Sequence, residues 1–415
     1  DGLEVDITEM PLDPQEIESI SVIKDIVSKT MYGPKAGDGV INITTKRGKQ
    51  NERIVRARIE SRMSVVDRFP EWVSGSEYAE LNNQARINSG MEPLYSTDDI
   101  ARYALNNPYD FAHPNIDFKQ MLWKDTRPFL RANLSSSGGN NWVKYFAYLG
   151  FKIGPTSNYN RINARSNIDI NITSNLKVSM GIYGGVTIKN APTYSSLVTT
   201  VPEMETFLGD LTSIPPIEFP VYASNEDGVD PWYAVSSRYS RNPIGDLQDC
   251  GYYSEMTRSS AANMALDYDF SDILVGLKSR TFVSFNLLNL TRIGERNDYI
   301  AYTVTPPLTP EEDPVLTKVR DGVDNPEQSK MFDYYYQLLA FNQLLSYDKT
   351  FGDHEIQLGL IYSLFNGTKD SRREPDRQQN GIFTAMYGYQ NKYFLEGAFN
   401  YAGTSSFERG KRYNL

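Results

Sequence analysis

The chain has 415 residues, 23% of them charged, and a formal net charge of −10. That acidic excess argues against a nucleic-acid groove as the main surface, because phosphate binding wants a basic stripe. A single cysteine excludes an intramolecular disulfide framework and a cysteine-based metal site, and two distant histidines, His113 and His354, argue against a histidine-centred triad or metal centre. No run of about 18 apolar residues occurs, so a spanning helix is excluded. A membrane β-barrel is not excluded, because alternating strands cancel in a hydropathy average. The aromatic share of 12%, with 28 Tyr and 19 Phe, suits an aromatic girdle at a bilayer surface or an aromatic-rich soluble β protein. No basic-then-apolar leader pattern opens the sequence, so an export signal is expected to lie outside this segment or to have been removed.

The first 48 or so residues read as a small α/β head. Pro11-Leu12-Asp13-Pro14 is a turn, and Asp13 is placed to cap one helical turn over 15–19. A short strand follows over 19–23, then a short helix over 25–32 that ends at Gly33. The β-branched run over 39–45 is a second strand. Between them, MYGPKAGDG lacks phosphate-loop spacing: Lys35 precedes Gly37 and Gly39 instead of following the last glycine. The glycines therefore read as a turn that opens a strand. The cluster Lys46-Arg47-Gly48-Lys49 reads as a solvated linker.

From residue 54 the period becomes two. Val55, Ala57, Ile59, Met63 and Val65 share one face, and Arg56, Arg58, Glu60, Arg62 and Ser64 share the other. The clearest case is 161–173, where Ile162, Ala164, Ile168, Ile170 and Ile172 alternate with Arg161, Asn163, Arg165, Asn167, Asp169 and Asn171. A polar turn over 173–175 leads into a second alternating run over 176–189. Further hairpins are expected around 262–290, 334–364 and 382–401, for ten or eleven strands in all. The runs reach the about 9–11 residues that cross a bilayer, longer than the about 5–6 of ordinary strands.

The connections sort into two sets. Short ones fall near 138–141, 173–175, 271–274, 349–354 and 390–392. Long ones fall near 67–126, 190–256, 297–328 and 366–380. Short turns on one side and long loops on the other are the pattern of outer-membrane barrels. In the first long loop, Ser74 and Glu77 form a capping-box pair, and a second helix is expected from Ser96.

Several stretches together resemble the SusC/RagA branch of TonB-dependent outer-membrane transporters. Residues 12–25, LDPQEIESISVIKD, with Tyr32-Gly33 and the run GVINITTKRG over 39–48, resemble the end of the family's plug domain. Tyr78-Ala79-Glu80-Leu81, Ser137-Gly138-Gly139-Asn140, Lys144-Tyr145-Phe146, the run RINARSNID over 161–169, Arg241-Asn242-Pro243-Ile244 and Asn391-Lys392-Tyr393-Phe394-Leu395 follow in the expected order. The chain departs from the family at Pro34-Lys35, and at Tyr401-Ala402-Gly403-Thr404-Ser405-Ser406, where Arg-Asp-Gly-Ser-Ser is usual.

The resemblance implies a membrane all-β fold: a large antiparallel transmembrane β-barrel of about 22 strands, of which this chain would supply about half. Residues 1–50 would be the C-terminal part of the plug and 51–415 the N-terminal half of the barrel, with the remainder elsewhere. It implies TonB-dependent import of an oligosaccharide or oligopeptide across the bacterial outer membrane, with TonB, a SusD-like surface lipoprotein and the lipid bilayer as partners. It implies no cofactor, no metal, no catalysis and no nucleic acid. The alternative is a β-rich surface adhesin or glycan-binding protein without transport.

Within the loops, Trp232 and Tyr233 are the candidate ligand-binding residues, because their rings could stack on a sugar; loop packing is the competing explanation. The acids Glu226, Asp227, Asp230, Glu311, Glu312, Asp313 and Asp370 fall in predicted loops without a spacing that fixes an acid pair across a cleft. Cys250 reads as an isolated small hydrophobe.

Overall fold

The computed structural model describes residues 12–24, 38–65, 71–124, 126–154, 158–192, 207, 209, 211–224, 231–295, 297–307, 313–323, 328–369, 375–408 and 410–414. The expected helix over 25–32 and the turn at Tyr32–Lys35 lie outside them.

The head begins with Asp13, whose Oδ1 accepts a hydrogen bond from the Gln15 amide at 2.9 Å. This caps a three-residue 3-10 turn, Pro14–Glu16, with Pro14 placed where no amide is needed. The turn is shorter than the sequence suggests because strand β1, Ile17–Ile23, starts at once. β1 pairs antiparallel with β2, Val40–Thr45, from Ile23↔Val40 to Ile17↔Thr45.

Eleven long strands follow, interrupted by two short-stranded inserts. They are β3 (Arg53–Val65), β4 (Thr126–Gly139), β5 (Val143–Ile153), β6 (Asn160–Asn171) and β7 (Leu176–Pro192). The first insert carries β8 (Tyr222–Ser224) and β9 (Trp232–Val235); then come β10 (Tyr252–Asp269) and β11 (Leu277–Gly294). The second insert carries β12 (Ala301–Thr305) and β13 (Val315–Arg320). After it come β14 (Ser329–Phe351), β15 (His354–Lys369), β16 (Asp376–Tyr389), β17 (Tyr393–Thr404) and the two-residue β18 (Tyr413–Asn414).

The long strands and β18 form one 12-stranded antiparallel sheet in chain order, with β3 at one edge and β18 at the other. Among the described residues it is an open sheet. β14 is 23 residues long, or about 78 Å at the usual rise, so even when tilted it overshoots a hydrocarbon layer of about 30 Å. Short turns close one end of the sheet. At Gln390-Asn391 the hairpin needs left-handed backbone, with φ of 53° and 52°, which asparagine tolerates better than most residues. At the opposite end, β15 runs to Lys369 and β16 starts at Asp376, so strand takes residues from both sides of the loop expected at 366–380.

The two faces of the sheet invert the burial of a soluble protein. On β6, Arg161, Asn163, Arg165, Asn167 and Asp169 are all buried, whereas Ile162 is 51% exposed and Ile172 50%. Val55, Ile59, Ile182, Leu360 and Leu395 are likewise exposed on the outer face. Such an array is stable where the solvent is hydrocarbon, because a strand with a neighbour on each side, as β6 has in β5 and β7, has its backbone groups already paired. No second packed layer covers β6 on its isoleucine side among the described residues.

The long connections are more structured than their sequence suggests. The β3–β4 insert carries helices Gly75–Asn88 and Thr97–Tyr103, started by capping boxes at Ser74/Glu77 and Ser96/Asp99, and a short helix, Phe118–Leu122. The other two inserts pair with each other. Their strands form a four-stranded sheet in the order β13-β12-β9-β8, with β12 parallel to β9. A cluster including Phe118, Leu211, Phe219, Val221, Val235, Ile244 and Ala301 gives these loops a hydrophobic core of their own.

If hydrocarbon faces the outer surface, a charge there should be costly. In the full-length protein folded into phospholipid vesicles, Ile182→Arg at mid-strand should lower unfolding free energy by ~2–4 kcal/mol in a denaturant titration. Ile182→Leu should change it by less than ~1.5 kcal/mol.

Candidate functional site

The most organised polar constellation lies where the head meets the inner face of β6. Glu16 closes the first turn of the head and is completely buried. Its Oε1 accepts from Asn163 Nδ2 and its Oε2 from Arg165 Nε, each at 2.5 Å. A carboxylate removed from water needs such partners, since an unpaired one would cost several kcal/mol. Arg165 in turn lies over the Tyr183 ring at 4.9 Å, and Arg161 Nη2 donates to the Tyr183 hydroxyl at 3.2 Å.

The contact continues along the strand at a two-residue spacing. Asn167 Nδ2 donates to Thr45 Oγ1 at 2.9 Å and to the Lys46 carbonyl at 2.7 Å. Arg47 pairs with Asp169 at 2.7 Å. Positions 163, 165, 167 and 169 all point inward because strand side chains alternate, so one strand presents four consecutive partners to the head.

The basic cluster at 46–49 therefore does more than a solvated linker would. Lys46 Nζ donates to the Gln15 carbonyl at 2.8 Å and its amide donates to the Glu16 carbonyl at 2.8 Å, clamping the open end of the head hairpin. Gly48 passes so close to the wall that a Cβ there would lie 2.4 Å from both the Gly138 carbonyl oxygen and the Tyr145 amide nitrogen. Only glycine fits that approach.

A second polar cluster holds the loop module together. Asn242 is fully buried; its Nδ2 donates to the carbonyls of Val221 at 3.0 Å and Ala234 at 2.9 Å, and its Oδ1 caps the helix Pro243–Gln248 by accepting from the Ile244 amide. Asp246 pairs with Arg241 at 2.5 Å and accepts from the Tyr299 hydroxyl at 3.0 Å. Burial raises the Asp246 carboxyl above its usual range, while Arg241 and Tyr299 oppose that shift. Burial beside Asp246 pushes the Cys250 thiol up to about 12, which makes it an unreactive packing group. The Arg241-Asn242-Pro243-Ile244 stretch that marks the family resemblance is thus the joint between two loops.

The two aromatic candidates in this module part company. Tyr233 is fully buried, with its ring 4.7 Å from that of Tyr299 and its hydroxyl donating to Asp249 at 2.6 Å. That is the role of a core residue. Trp232 is half-buried and stacks on Tyr302 at 4.8 Å. The acids Glu226, Asp227, Asp230, Glu311, Glu312 and Asp370 lie outside the described residues, and Asp313 is exposed. Glu16 meets Asn163 and Arg165 across 147 and 149 positions, a separation over which no local pattern carries a signal.

The first insert has its own titrating contact. His113 Nε2 lies 2.9 Å from Asp99 Oδ1, and this bond, with those from Ser96, holds the Asp99 carboxyl down at about 2. A depressed carboxyl stabilises the fold above its unfolded value of about 4 and loses that contribution as pH falls towards its folded value. Amide exchange in the helix Thr97–Tyr103 should therefore accelerate between about pH 4 and 2, and Asp99→Asn should abolish that step.

Comparison with known proteins places these features in context. No family model matches the chain. It is 24% identical over 360 residues to TonB-dependent receptor P3 of Formosa agariphila, covering 83% of this chain and 30% of that protein. It is 27% identical over 162 residues to TonB-dependent receptor SusC of Bacteroides thetaiotaomicron, covering 38% of this chain and 14% of that protein. Among solved structures, the RagAB peptide importer in the open-open state superposes with a TM-score of 0.66 at 17% identity, covering 97% of this chain and 47% of that chain. The RagAB peptide importer in the closed-closed state gives 0.65 at 16% identity, covering 97% and 48%. The chain thus spans about a third or less of the curated relatives and about half of the solved chain.

Removing the buried carboxylate tests the head contact directly. Glu16→Ala in the full-length protein should weaken docking of the head by ~3–5 kcal/mol, because it strands Arg165 beneath the head. Hydrogen exchange over β1 and β2 reads the effect, and Glu18→Ala, at an exposed position, should leave it unchanged.

Proposed function

We propose that this chain, which belongs with the SusC/RagA-type TonB-dependent transporters, is the plug end and leading half of a barrel that imports nutrient oligomers across the bacterial outer membrane. Residues 1–50 act as the last part of the plug and 51–415 as barrel wall and outward loops. The observation that carries the reading is the docking of the head on a buried polar wall whose opposite face is apolar and exposed. A conduit closed by a folded stopper has that arrangement.

In this reading the stopper is held by a short list of polar contacts instead of a hydrophobic core. Glu16, Thr45, Lys46 and Arg47 make hydrogen bonds and two ion pairs with one strand. Polar contacts can be exchanged for water as a segment moves, whereas an apolar seam would resist wetting. Energy delivered through TonB would displace the head and open the path. No covalent chemistry is required.

The loop module would face a SusD-like lipoprotein outside the cell, with a glycan or peptide passing between them. Its preformed core, built across separate loops, gives a partner a shaped surface. Of the two aromatic candidates, Trp232 keeps surface available for cargo or partner, stacked with Tyr302.

Uptake by living cells tests the reading. Accumulation of labelled oligomer should need the gene for this protein, and should collapse when TonB is deleted or the proton gradient is dissipated. A surface adhesin would keep its oligomer binding under both treatments and would stay in buffer without detergent; that result would overturn the transport reading.

A further inference from the structure

The outer face of four neighbouring strands changes character at its short-turn end. Directly opposed pairs place Phe351, His354, Tyr389 and Tyr393 in one row across β14, β15, β16 and β17. The next row away from the turns is Lys349, Ile356, Tyr387 and Leu395. Farther along, the same face is purely apolar, with Leu345, Leu358, Leu360, Phe383 and Phe399 all exposed.

The strand geometry sets the depth of the polar rows. On β15 the run Ile356, Leu358, Leu360, Tyr362 and Leu364 lies between His354 and Asn366 on one face. At about 3.3 Å per residue and a tilt of about 40°, the steps from His354 to Asn366 rise about 30 Å, which is the thickness of the hydrocarbon layer. His354 therefore sits where hydrocarbon gives way to lipid headgroups.

The side chains at that depth are arranged as donors. His354 Nδ1 lies 2.6 Å from the Tyr387 hydroxyl, and the imidazole packs 5.1 Å from the Tyr389 ring. With the tyrosine hydroxyl donating to Nδ1, the neutral ring carries its proton on Nε2, and the protonated ring carries one there too. Lys349 is diagonal to His354 across the β14–β15 hairpin, a spacing over which long side chains on one face reach each other. Its ammonium lies 5.0 Å from the ring of Phe351, the residue directly opposite His354. The neighbouring acids are turned to other work. Asp353, in the turn, accepts from Gln390 Nε2 at 2.8 Å, and Asp348 and Glu355 fall on the inner face by alternation.

A lysine ammonium beside an imidazole N–H offers two donors to the oxygens of one phosphate. The apolar surface that adjoins them has no use for a free anion, but it matches acyl chains running from that phosphate into the bilayer. Tyrosines on either side suit the same depth, because their rings are apolar and their hydroxyls wet.

We propose that Lys349 and His354 hold the phosphate of one phospholipid in the leaflet on the short-turn side, with its acyl chains along Leu358, Leu360 and Phe383. The inference rests on the outer-membrane reading above and adds a defined lipid site to it.

Native mass spectrometry of the detergent-purified full-length protein reads the first bound lipid directly. Dioleoyl phosphatidylglycerol should bind at least about tenfold more tightly than dioleoylglycerol, which has the same chains and no phosphate. Inorganic phosphate at millimolar concentration should not displace it. The double variant Lys349→Gln/His354→Gln should lose about tenfold in affinity for the phospholipid, and Lys349→Arg alone should keep it. The comparison of the two lipids needs no variant, so the proposal stays testable if the double variant folds poorly. Equal binding of the two lipids, displacement by inorganic phosphate, or an unchanged affinity in a folded double variant would overturn the proposal. If one of those results came from protein that still partitions into phospholipid vesicles, only this site would fall. Protein that stayed in buffer without detergent and ignored vesicles would sink the outer-membrane reading itself.

Discussion

Everything in this molecule follows from the reversal of solvent across one sheet. The isoleucines of β6 face outward and its arginines, asparagines and aspartate face inward under the head. In water that arrangement would lose the hydrophobic contribution on one side and incur desolvation on the other. In hydrocarbon the outward side chains are already in their preferred medium. The backbone is satisfied by cross-strand pairing, and what remains is to partner the inner polar groups. The head does part of that work, so wall and head stabilise each other.

The same logic explains where hydrophobic packing does occur. The sheet itself cannot form an apolar core, because its apolar face points away from the protein. The largest cluster of buried hydrophobics sits instead in the long inserts, beyond the strand ends, where water returns as solvent. Those inserts behave like a small soluble domain, with capped helices, a four-stranded sheet and an Arg241–Asp246–Tyr299 network in which Asp246 and Tyr299 are buried. Two polar clusters thus serve different parts of the molecule. One joins the head to the wall; the other joins loop to loop.

Local patterns in the sequence were legible, and distant pairings were not. Period-two alternation located the long strands and assigned Ile162 and Asn163 to opposite faces, and the capping boxes at Ser74 and Ser96 started helices as expected. Asp13 as a cap could be read because its partner is two residues away. The four-stranded loop sheet could not, because β9 and β12 are short and pair in parallel across a gap that includes β10 and β11. Whether Tyr233 stacks on a sugar or packs within the loops could not be read, because nothing nearby in sequence announces Tyr299 and Asp249 as its neighbours. The solvated-linker reading of Lys46 and Arg47 failed for the same reason: Asp169 is 122 positions away.

The most direct test asks which medium touches each face. Single tryptophans at 162 and 163, Ile162→Trp and Asn163→Trp in full-length protein whose native tryptophans, Trp72, Trp123, Trp142 and Trp232 among them, are replaced by Phe, can be probed in vesicles whose acyl chains carry bromine. The account predicts strong quenching at 162 and little at 163. Equal quenching, or quenching at 163 alone, would show that the isoleucine face does not meet lipid and would contradict it.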